Sequence, residues 1–230
     1  MRSAVIYILL LVAALPMKAQ DDVEYRMEIG AGGGLVGYLG DFNENITKNL
    51  QPMGAAIVRY NFDTYKSMRL NVSFGKLKAN SRDVKTYYPP YAMVNYQADN
   101  PVVDVGMTFE YNFLPYGTGK EYRGAKRLVP YLFGGLGATY VKLKDSEKKS
   151  VFTANVPIGI GLKYKVGARM NVGLEWAMHF TLSDDLDGAK DPYGISSKGA
   201  FKNTECYSTL MVTFSYSFLQ KCKVCHNQDE

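Results

Sequence analysis

The stretch Val103-Asp104-Val105-Gly106-Met107-Thr108-Phe109-Glu110-Tyr111-Asn112-Phe113 alternates without a break: every odd-numbered residue is apolar, every even-numbered one small, polar or acidic. A strand points successive side chains to opposite faces, so this run is a strand with one apolar face and one polar face. Four further segments carry the same period. They are Met68 to Gly75, Asn155 to Tyr164, Asn171 to Leu182 and Thr209 to Phe218. Three Gly-rich or shorter segments complete the set: Met27 to Tyr38, Gly54 to Phe62 and Val129 to Lys142. The last has glycines on both faces, and its facing cannot be assigned. Eight strands are expected.

Their connections differ in length. Asp63 to Lys66 and Val166 to Arg169 are short turns, whereas Leu39 to Pro52, Ala79 to Pro101 and Ser183 to Glu205 are long polar stretches. Short turns on one rim and long loops on the other is the pattern of outer-membrane barrels. Leu114 to Leu128 breaks it by being long on the short-turn side.

Residue size separates a membrane barrel from a soluble, ligand-holding one. The polar face carries Ser73, Gly75, Gly106, Gly159, Gly161, Gly173, Thr213 and Ser215. Small residues suit the inside of a narrow barrel whose lumen is filled by side chains. A water-washed exterior would be rich in Lys and Glu instead. Tyr60, Phe62, Tyr111, Phe113, Tyr164, Tyr216 and Phe218 sit at strand ends, where interfacial girdles occur. The expected fold is all-β: an eight-stranded antiparallel transmembrane β-barrel of the outer-membrane type, with its termini in the periplasm.

Composition agrees. Of 230 residues 47% are apolar, which excludes disorder, and the charge of +5 is too mild and too scattered for a nucleic-acid surface. Arg2 followed by the apolar run Ala4 to Leu15 reads as a secretory signal peptide. The expected organisation is signal peptide 1–19, barrel 20–218 and a periplasmic tail 219–230. Outside the leader the longest uncharged runs, Leu128 to Val141 and Cys206 to Gln220, are too short for a membrane helix.

The expected inward charges are Glu28, Arg59, Arg69, Asp104, Glu110, Lys163 and Glu175. An unpaired charge in a dry lumen is expensive, so they are read as one paired, structural network. His179 is read as inward and bonded to Glu175.

Several segments together resemble the PorG family, the small outer-membrane protein of type IX secretion. They run from Glu28-Ile29-Gly30 through Tyr38-Leu39-Gly40-Asp41-Phe42-Asn43, then Arg59-Tyr60-Asn61-Phe62 with Arg69-Leu70. Glu110 to Tyr116, Pro130 to Gly137, Gly159 to Tyr164, Asn171 to Trp176 and Asp184 to Asp187 follow in order. The last lacks the tyrosine of the family's Thr-Asp-Tyr-Leu-Asp-Asp pattern. The resemblance implies a secretion component of Bacteroidetes-type bacteria, associated with a periplasmic ring built from PorK and PorN. A filled barrel offers no conduit for a protein, so such a component would anchor or organise. The competing readings are a stand-alone structural or adhesive barrel and a lipid-modifying enzyme.

The remaining motifs are weaker. Cys222-Lys223-Val224-Cys225-His226 spells a haem-attachment signature but lacks a pocket around it, and two Cys with one His fall short of a zinc set. Cys222 and Cys225 could form an internal disulfide, link to a partner or stay free thiols; the expectation is that Cys222 or Cys225 is a disulfide tether to a periplasmic partner. Ser183, Asp185, Asp187 and Gly188 partly follow a calcium loop, with Gly194 where the closing Glu belongs. His179 with Asp184 or Ser73 lacks a nucleophile motif, and Tyr87 to Tyr91 reads as a stiff surface loop or a docking segment. No catalytic residue, cofactor, metal or small-molecule substrate is expected, and the only non-protein partner is outer-membrane lipid.

Overall fold

The computed structural model describes residues 23–39, 49–80, 97–117, 125–143, 150–182 and 206–220. They form eight strands: β1 (Tyr25–Leu39), β2 (Gln51–Asn61), β3 (Lys66–Asn80), β4 (Gln97–Asn112), β5 (Leu128–Lys142), β6 (Ser150–Lys165), β7 (Met170–Thr181) and β8 (Cys206–Gln220). Each pairs antiparallel with its neighbour in sequence, and β1 closes the ring on β8. Closure satisfies every strand's backbone from both sides, which is what allows a sheet to sit in hydrocarbon.

The alternation drives this arrangement. On β4, Val103, Val105, Met107 and Phe109 point outward and are 42–53% exposed, while Asp104, Thr108 and Glu110 are buried. Ile158, Ile160, Leu174, Trp176, Leu210 and Val212 continue the apolar belt around the wall. Tyr60, Phe62, Phe113, Tyr164 and Tyr216 form the lower end of that belt at the short-turn rim, with Tyr60 edge-on to Phe62 at 5.2 Å and Tyr111 to Phe113 at 6.0 Å.

At this rim the turns are tight. Asp63 Oδ1 accepts from the backbone N–H of Tyr65 at 2.7 Å and of Lys66 at 2.6 Å, fixing the β2–β3 turn. Val166 N–H donates to Met170 O at 3.0 Å across the β6–β7 turn. Tyr25 pairs with Gln220, so the start of β1 and the end of β8 share the rim.

Four sequence expectations are adjusted. The β3–β4 ladder continues to Asn80↔Gln97, so the loop expected from Ala79 to Pro101 is shortened to residues 81–96. β6 begins at Ser150, and β8 runs on to Gln220 rather than ending at Phe218. In the described start of the long β4–β5 connection, Tyr116 reaches over the barrel mouth: its N–H donates to Thr64 O, and its buried hydroxyl donates to Asn171 Oδ1 at 2.9 Å. The leader, Asp184 to Asp187, Tyr87 to Tyr91, Cys222 and Cys225 lie outside the described residues.

Candidate functional site

Among the described residues, the lumen is the place where the fold gathers the chemistry-bearing side chains that the sequence singled out, and it is built in layers. The pleat decides which residues enter. Glu28, Arg59, Arg69, Glu110, Lys163 and Glu175 occupy inward positions on β1, β2, β3, β4, β6 and β7, and each is at most 3% exposed. Arg59 donates to Glu28 at 2.5 Å and to Glu110 at 2.8 Å, while Arg69 grips Glu175 at 2.6 Å and lies 3.2 Å from Glu110. Lys163 Nζ also donates to Glu110. Three carboxylates and three bases thus form one closed network. Polar neighbours complete it, with Asn61 donating to Glu28 at 3.0 Å and Ser67 to Glu110 at 2.9 Å.

Two large aromatics stand beside the network. Tyr131 and Phe133 of β5 point inward, with Lys163 Nζ 4.2 Å from the Tyr131 ring centre and Arg69 4.8 Å from that of Phe133. Their cross-strand partners are Gly161 and Gly159. A Cβ at Gly161 would lie 2.6 Å from the Tyr131 ring, so glycine there is what gives the ring its space. This settles the facing of β5 and shows why its glycines obscured it. Had Gly159 and Gly161 been read as sockets, large residues opposite them would have been expected.

Asp104 does not join the network. It sits higher on β4, where Oδ2 accepts from Tyr207 Oη at 2.9 Å, from Thr139 Oγ1 at 3.0 Å and from Asn155 Nδ2. His179 belongs with it rather than with Glu175: its Nδ1 is 4.0 Å from Asp104 Oδ1, and its ring stacks on Tyr207 at 4.4 Å. The expectation failed because Glu175 is fully engaged by Arg69, while β4 and β8 present Asp104 and Tyr207 at His179's height. A cavity of about 20 Å³, room for about one water, separates this cluster from the ionic one.

Above Asp104 the inner face turns apolar. Val36, Tyr38, Met53, Leu77, Val102, Val141, Leu143 and Val151 pack into a buried cluster with Tyr207 and Met211. The sequence reading assigned small and polar residues to the whole inner face, and this cap corrects it. Near the loop rim both faces of the strands are apolar, as in Val102-Val103 and Tyr140-Val141, and alternation no longer marks the inside. Lys165, buried near the opposite mouth beside the Tyr116 and Tyr25 rings, was also missed.

Layered in this way, the lumen is a packed core. An apolar outer belt, a polar and ionic interior and ring closure define a closed eight-stranded antiparallel β-barrel of the outer-membrane type. More particularly, the chain belongs to the family described as Domain of unknown function (DUF6089), whose model matches residues 2–227. No curated protein matches it in sequence. Among solved structures it is similar to Neisserial surface protein A, at 12% identity and a TM-score of 0.50, covering 84% of this chain and 97% of that one. It is also similar to a major outer membrane protein from Thermus thermophilus, at 11% identity and a TM-score of 0.49, covering 84% and 99%. A third is Ail, the attachment invasion locus protein of Yersinia pestis, at 12% identity and a TM-score of 0.45, covering 85% and 100%.

Proposed function

We propose that this barrel is a non-enzymatic scaffold of a type IX protein secretion system, anchoring a periplasmic ring of the PorK and PorN kind to the outer membrane. The observation that carries the reading is the filled lumen. Six mutually paired charges, two aromatic rings and an apolar cap occupy the cross-section, so the fold suits holding a position in the membrane rather than passing cargo. The ordered series of PorG-like segments supplies the system. In this reading both termini face the periplasm, and the chain beyond Gln220 lies on the side of the ring. Cys222 or Cys225 in that tail is proposed to form a disulfide with a ring partner, in a compartment that permits disulfides.

The test is deletion of the gene followed by assay of secreted cargo. Lost secretion with an intact envelope supports the scaffold. Unchanged secretion removes it in favour of a stand-alone structural or adhesive barrel, and altered lipid A would point to an enzyme. Crosslinking and pull-down of the tagged protein should recover ring components. On a non-reducing gel of envelope fractions, a slow band that collapses on reduction and is lost in the Cys222→Ser, Cys225→Ser double variant is expected.

A further inference from the structure

The outer wall of β3 to β6 ends, near the long-loop rim, in two rows of very different chemistry. The register aligns Phe74 with Val103, Val103 with Tyr140 and Tyr140 with Phe152, so these four outward residues form one row across four strands. Phe74 and Phe152 are 60% and 75% exposed, among the most exposed apolar side chains of the wall. Two residues further toward the rim the next outward row holds Lys76 opposite Pro101, and Lys142 opposite Ser150. Both lysines are exposed. They flank β4, and two ladder spacings put their backbones about 10 Å apart. Among the described residues the outward acid nearest to them along these strands, Asp99, stands one row higher, opposite Lys78.

Aromatic rings followed immediately by paired lysines mark the level where hydrocarbon gives way to head groups. A cation pair at that level, two strands apart, matches a ligand with negative charge spread over its head and several acyl chains below. The geometry points to a binding site for a phosphorylated glycolipid of the outer leaflet, its phosphates on Lys76 and Lys142 and its acyl chains along Phe74, Tyr140 and Phe152. Pro101 between the lysines keeps the centre of the site free of a long side chain, so one head group can bridge both. The inference rests on the outer-membrane reading with the long loops outward, and is independent of any role in secretion.

The experiment uses the full chain in mild detergent and bisphosphorylated lipid A as probe, with bound lipid counted by native mass spectrometry. The wild type is expected to retain one lipid A molecule. The Lys76→Gln, Lys142→Gln variant should bind it roughly 30-fold more weakly, at about one lysine's worth of surface attraction each. The Lys76→Arg, Lys142→Arg variant should restore binding, which separates charge from folding, and heat-modifiable migration confirms that each variant is a closed barrel. Equal retention by the glutamine variant, equal retention of dephosphorylated lipid A, or equally good competition by phosphatidylglycerol vesicles would each overturn the site. A membrane-impermeant maleimide should label Ser150→Cys on whole cells above the unsubstituted baseline. Failure there overturns the orientation, and the proposal with it, whatever the outcome of the secretion assay.

Discussion

Glu110 and Asp104 are both carboxylates on β4, both inward, both at most 1% exposed, yet the protein handles them in opposite ways. Glu110, toward the short-turn rim, is surrounded by Arg59, Arg69 and Lys163. Asp104, toward the loop rim, is held by two hydroxyls and an amide, with its nearest ring nitrogen 4.0 Å away. Charge can be buried by neutralising it with full charges or by dispersing it over neutral donors. The first gives a rigid, mutually dependent cluster in which each member needs the others. The second gives a smaller cluster whose members can be exchanged more cheaply.

Breaking the ionic half should therefore cost most. Glu110→Gln leaves three buried bases without the carboxylate they share, and the expected loss is about 3–5 kcal/mol. Urea unfolding from lipid vesicles measures it, and a loss under about 1 kcal/mol would mean the network contributes little. Next, Gly161→Val drives a side chain into the space of the Tyr131 ring. Overpacking of this kind costs about 1–3 kcal/mol, and pairing it with Tyr131→Ala should recover part of the loss.

Asp104→Asn sharpens the contrast, because it is the same chemical change as Glu110→Gln at a differently solved site. The amide oxygen still accepts from neighbouring donors, so the expected loss is about 1–2 kcal/mol, near the net value of one or two hydrogen bonds. If it equals or exceeds the Glu110→Gln loss, the distinction between the two halves falls. His179→Phe should do least. The ring keeps its stacking on Tyr207 and loses two long contacts, 3.5 Å to Thr209 and 4.0 Å to Asp104, so a change of about 1 kcal/mol or less is expected in the same assay.

Strand number, outward face and most inward charges were legible because hydrocarbon demands an uninterrupted apolar face, and a period of two is its direct imprint. Val103 to Phe113 states its own facing. Val129 to Lys142 does not: with glycines on both faces, the inward choice of Tyr131 and Phe133 depends on the sockets at Gly159 and Gly161, on another strand. The apolar cap was hidden for a related reason. Val36, Val102 and Val141 lie next to outward apolar residues, and an apolar pair in sequence leaves open which member faces in.

The seven inward charges could be chosen from one strand at a time, but their grouping could not. Whether Asp104 meets Arg69 or Tyr207 is fixed by the heights at which eight staggered strands place their residues, a property of the closed ring. By itself the sequence determined the sheet, its membrane-facing surface and the charged character of its interior, since these follow from alternation along single strands. Only the tertiary structure decided the layering: an ionic plug, a neutral-donor site at Asp104 and an apolar cap. The physical reason is that partners in the lumen come from across the barrel, 106 residues apart for Arg69 and Glu175, and no local pattern encodes that distance.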